Sequence, residues 1–101
     1  MAQATHRPAQ ATAAVCTFAA VSETVQELDS ISWSYSAAPT GGNIAVESPS
    51  GTTIFQMAVT SAGPGNISFP KALKGASGQA LIVTLASGAG TVVGSVNAIT
   101  R

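Results

Sequence analysis

Three of the chain's four acids, Glu23, Glu27 and Asp29, fall within seven residues. On an unbroken strand they share a face, an arrangement that could hold calcium. Calcium takes about six to eight oxygens, however, and no Asp-x-Asp-x-Gly loop supplies the remainder. A solvated edge, or contact with a basic neighbour, is the stronger reading. His6 is the only histidine and stands far in sequence from any partner. Neither a Ser-His-acid triad nor a zinc site assembles easily around it. Cys16, the single cysteine, has no internal disulfide partner, and its neighbours Ala14, Val15 and Phe18 point to a buried, inert thiol. GAGTVVG (88–94) loosely resembles a dinucleotide fingerprint, but its third glycine is one position late and valines stand where a helix would open. It reads as a hairpin turn. Asn66-Ile67-Ser68 matches a glycosylation acceptor, a motif common by chance. Trp33 and Tyr35 could form an aromatic platform for a sugar, although two aromatics at i and i+2 more often belong to a core or a seam between subunits. Lys71 and Lys74, the only lysines, are the groups best placed to reach an acidic partner.

This inventory is too thin for catalysis, and the chain reads as a non-enzyme that needs no cofactor and no metal. Only 8% of its residues are charged and its net charge is zero, against roughly a quarter charged in an ordinary soluble domain. Such a surface would not neutralise a run of phosphates, so nucleic acid is not an expected partner. No run approaches the ~18–20 apolar residues of a membrane span. ATAAVCTFAAV (11–21) mimics a signal peptide poorly, having internal threonines and no leucine or isoleucine, and the chain reads as unprocessed. A surface this poor in charge is suited to being covered by other protein.

The elements that must carry these residues are strands. ISWSYS (31–36) alternates strictly, with Ile31, Trp33 and Tyr35 on one face. Val25, Leu28 and Ile31 slip phase, which predicts a bulge or bend near Glu27–Ser30, with a helical turn as the main alternative. Residues 43–60 read as a hairpin through SPSG, a type I turn. Ile67–Phe69 is a short strand, PKALKGASG (70–78) the longest loop, QALIVTLA (79–86) the most apolar strand, and TVVGSVNAI (91–99) the last. About seven or eight strands with frequent turns and no helix predict an all-β, single-domain β-sandwich, jelly-roll or Ig-like. Trp33, Phe55, Phe69, Leu81, Val83 and Leu85 are its expected core. Residues 1–11 have no large apolar side chain after Met1 and are expected to form an extended arm, with the sandwich spanning 12–101.

From Ile31 to about Val96 the sequence resembles small β-rich structural proteins of tailed bacteriophages. The matching pieces are ISWSYSAAPTGG (31–42), the hairpin from Gly51 to Val59, AGPG (62–65), FP (69–70), LKGASG (73–78) and ALIVTLASGAG (80–90). Among such proteins a chain this small is most similar to capsid decoration, or cement, proteins. The resemblance implies a virion component, made in the host cytoplasm. It would bind the outer surface of the major capsid protein shell, brace it without chemistry, and associate with itself, most commonly as a trimer. A tail, spike or baseplate component is the alternative, and a carbohydrate-binding module using Trp33 and Tyr35 is the second. The arm, with His6, Arg7 and Pro8, and the loop carrying Lys71 and Lys74 are the expected assembly contacts.

Overall fold

The structure, a computed structural model, describes residues 2–101. It is an all-β sandwich of eight strands: β1 (Ala2–His6), β2 (Ala14–Phe18), β3 (Glu27–Tyr35), β4 (Asn43–Glu47), β5 (Thr53–Ala58), β6 (Gly63–Lys74), β7 (Leu81–Leu85) and β8 (Gly94–Thr100). They form two four-stranded antiparallel sheets, ordered β1-β8-β3-β6 and β2-β7-β4-β5. Alternation along each strand sends one set of side chains between the sheets. Leu81, Val83 and Leu85 of β7 are wholly buried there, as are Ile44 and Val46 of β4 and Val96 and Ala98 of β8. Ile31, Trp33 and Tyr35 of β3 join them on the inner face. The slip in phase near Glu27–Ser30 is a bulge, for the register of β3 against both its neighbours shifts between Leu28 and Ser30.

Only β4 and β5 pair as chain neighbours; every other connection crosses from one sheet to the other. The GAG segment is therefore not a hairpin turn. It carries the chain from β7 in one sheet to β8 in the other, and β8 begins at Gly94 rather than Thr91. The SPSG turn also differs from a type I turn with proline second. The Ser48–Pro49 peptide is cis, and the closing bond runs from Thr52 N–H to Pro49 O (3.0 Å), with Gly51 at φ 91°.

Two longer segments depart from the sequence reading. Residues 2–6, expected in an extended arm outside the sandwich, add to the sheet as β1, paired with Val96–Thr100 of β8. Small side chains keep a segment out of a core but not off a sheet edge, where the ladder is made by backbone groups. The following residues are also held by their own chain, through Ala11 N–H to Val92 O (3.1 Å). The expected loop at 70–78 is strand as far as Lys74. Residues 69–72 bulge opposite the single residue Asp29, and the ladder resumes with Leu73 opposite Leu28. Pro70 is tolerated because β6 is an edge strand.

Candidate interaction surfaces

The titratable groups are dispersed. Asp29, at the β3 bulge, accepts from Arg101 Nε at 2.9 Å, and Arg101 Nη2 also reaches the Phe69 and Pro70 carbonyls at 3.4 Å. The acid-rich segment thus makes contact with a basic neighbour, which pins the β6 bulge to the end of β8. Glu23 sits in the turn before β3 at φ 60°. Among the described residues, no three of His, Cys, Asp and Glu come together as a metal site.

Cys16 is buried in the middle of β2, on its inner face, and loss of hydration raises its thiol pKa, opposed in part by a hydrogen bond with the Ala98 backbone. Tyr35 is 1% exposed. Its hydroxyl donates to Ala86 O at 2.7 Å, and burial likewise raises its pKa. Trp33 is 8% exposed and lies between the sheets. The aromatic platform for a sugar is therefore absent, because both rings point into the core. Gly65 makes room for the indole: a Cβ there would sit 2.3 Å from Trp33 Cε2.

The five residues expected at contacts fall into two separate groups. His6 ends β1, and its Nδ1 accepts the Val15 N–H of β2 at 2.9 Å, tying the two sheets along one side. Arg7 is exposed and borders a hollow lined by Ser34, Ser36, Val93 and Ser95, while Pro8 is half-buried. Lys71 and Lys74 are exposed near the far end of β6. Two strands, β8 and β3, lie between β1 and β6. His6 and the lysines are also at opposite ends of that sheet, since His6 is level with Trp33 and Gly65, and Lys74 with Glu27. No single patch unites them.

A broader surface lies between the two groups, and the alternating serines of β3 were its only sign in the sequence. The outer face of the β1-β8-β3-β6 sheet carries Gln3 and Thr5, then Ser95, Asn97 and Ile99, then Ser30, Ser32 and Ser34, then Pro64, Asn66 and Ser68. One row across it is hydrogen bonded in pairs: Thr5 Oγ1 donates to Asn97 Oδ1 (2.7 Å) and Asn66 Nδ2 to Ser32 Oγ (2.9 Å). A shallow hollow of about 510 Å³ lies over this row. Among the described residues, the face itself holds no charge. Arg7 borders it at one end and the Asp29–Arg101 pair at the other.

Sequence reasoning also missed Ser48, 3% exposed. Its Oγ donates to Ala80 O (2.8 Å) and accepts from Ala76 N–H (2.9 Å), fixing the LKGASG segment to the end of β4. A Cβ on Gly75 would meet that Oγ at 2.6 Å, which gives the motif's first glycine a steric reason.

The chain matches no protein-family model, no curated protein and no solved structure. A functional reading therefore has to be argued from its residues, from the resemblance over residues 31–96 and from this geometry.

Proposed function

We propose that this protein is a non-enzymatic structural component that acts by surface contact, and that it decorates and stabilises the outer surface of a phage capsid. The observation that carries the reading is the uncharged hydroxyl and amide face of the β1-β8-β3-β6 sheet. Covering neutral polar groups costs less than stripping ions of water, provided that their hydrogen bonds are replaced. A face of serine and asparagine can make those replacements against main-chain groups of a shell protein. Specific interfaces bury more than about 1,000 Å² in total. The protein's principal extents of 41 × 24 × 19 Å give a sheet face of suitable breadth for one. Arg7 at one end of the face can meet acidic neighbours at its rim, and the lysines of β6 can do so from the sheet edge. The major capsid protein is the proposed partner, together with further copies of the chain itself. The resemblance over residues 31–96 supplies the choice of particle.

The test is co-sedimentation of the protein with purified phage particles, repeated with Ser32→Asp and Asn97→Asp. Both residues lie on the outer sheet face, away from the core, so the variants should fold. Charge placed on the face should lower occupancy at least tenfold while leaving the circular dichroism spectrum unchanged. Equal binding by the parent and both variants would remove this face from the interface.

A further inference from the structure

The sandwich has four edge strands, and three of them are guarded against pairing with another chain. On β2 one outward N–H, that of Val15, is already taken by His6. β1 lies alongside β2 through that same bond and runs into the cation Arg7. β6 lacks an N–H at Pro64 and Pro70, bulges at 69–72, and carries Lys71 and Lys74. Prolines, bulges and lysines are the usual means by which edges avoid pairing.

β5 has none of these charges or prolines. Its sequence is Thr-Ile-Phe-Gln-Met-Ala, and its one irregularity is the register shift at its start, opposite Val46 and Glu47. Val59 N–H bonds to Gly42 O (3.0 Å), and Met57 and Phe55 stand opposite Ile44 and Val46 in the same register. Main-chain groups on an antiparallel strand alternate in direction. Phe55 and Met57 therefore bond towards β4, and Gln56 and Ala58 aim their N–H and C=O groups outward. Beside this edge the sandwich is open. Phe55 and Phe69 meet edge to face at 5.3 Å, both only half-buried, and Met57 is half-buried too. Trp33, Met57, Val59 and Gly65 line a crevice of about 220 Å³ there.

We infer that β5 is a self-pairing edge whose occupant is β5 of a second copy, antiparallel across a two-fold axis at Gln56. That register sets Gln56 opposite Gln56 and Ala58 opposite Ile54, so each outward N–H faces an outward C=O. The strand is uncharged, so bringing two copies together adds no repulsion, and the half-buried Phe55 and Met57 gain cover. A two-fold pair continues the β2-β7-β4-β5 sheet into an eight-stranded one, and it differs from the threefold arrangement that the family resemblance implies. The inference deepens the self-association in the proposed function and does not depend on the shell.

The experiment is sedimentation of the full chain at micromolar concentration, with Ala58→Lys and Gln56→Pro as variants and Thr17→Lys, exposed on β2, as control. Ala58 and Gln56 are exposed, and neither main-chain N–H is used within the fold. The parent and the control should sediment as dimers, and both variants at about half that mass with unchanged circular dichroism. Emission from Trp33, the only tryptophan, should shift to the red on dilution of the parent and hold the shifted position in both variants. A monomeric parent overturns the inference, as does an oligomer that survives both substitutions. A monomeric parent whose binding to particles is abolished by Ala58→Lys would overturn it too, by assigning the edge to the shell. Failure of particle binding alone leaves the sedimentation result intact, so the two readings fail separately.

Discussion

Ser48 holds two segments with one oxygen. It gives its proton to Ala80 and takes one from Ala76, and it is nearly inaccessible to water. Ser48→Ala should cost about 1–3 kcal/mol, because a half-buried carbonyl and a half-buried N–H both lose their partner. Urea unfolding monitored by circular dichroism measures this. Gly65→Ala should be costly for a different reason: the new methyl falls on the Trp33 ring, and overpacking of this kind costs about 1–3 kcal/mol. Here a shifted Trp33 emission in the folded state would accompany the loss, whereas Ser48→Ala should leave the emission alone. Cys16 and Tyr35 set the response to alkali. Burial raises both pKa values above the ordinary 9.0 and 10.0. The unfolded chain therefore loses these protons first, and each group's contribution is complete below its ordinary value and disappears as pH rises through the folded one. The urea midpoint should hold steady up to about pH 9 and fall beyond it, with a smaller fall in Cys16→Ala. A midpoint that rises with alkali would contradict the burial of both groups.

The strands differ in how much of each was legible. β3 and β7 announce themselves, since strict alternation at 31–36 and the apolar run at 79–86 leave no other way to bury Ile31, Trp33, Leu81 and Leu85. The bulge in β3 was visible as a slip in phase. β1 was not legible as part of the sheet, because its pairing uses backbone groups that every sequence possesses. The order of strands was hidden for the same reason, and the one hairpin that the sequence did show, β4–β5, is the only local pairing in the fold. Core membership also misled at the open side. Phe55 and Phe69 look like core residues from their neighbours' spacing, yet they stack half-buried between two edge strands. Leu81→Ala and Leu85→Ala should each cost about 2–5 kcal/mol, as expected for wholly buried leucines. Phe55→Ala should cost less than either, although it removes more atoms. Deleting residues 2–6 should lower the urea midpoint of the isolated protein. An unchanged midpoint would mean that the segment contributes as little as a free arm.

At the scale of the whole molecule, the surface was legible in composition but not in arrangement. Only eight per cent of the residues are charged, which makes the surface cheap to cover. The alternating serines of β3 marked one strand of the uncharged face, while Thr5, Asn66 and Asn97 joined it only through pairing across the sheet. The expected contacts at His6, Arg7, Pro8, Lys71 and Lys74 lie at the margins of that sheet, and the uncharged residues between them form its continuous surface. Any binding through this face should consequently depend little on salt, because few ions are displaced when neutral groups meet. Occupancy on particles that changes by less than about threefold between low and high salt would agree with contact through the face rather than through the marginal cations.

The central claim is that the protein braces a phage shell without performing chemistry, and the most direct measurement compares particles carrying the protein with particles lacking it under heat and osmotic shock. Decorated particles should retain their genome under conditions that empty bare ones, and adding purified protein back to bare particles should restore the difference. Equal survival of decorated and bare particles, or absence of the protein from purified particles, would contradict the account.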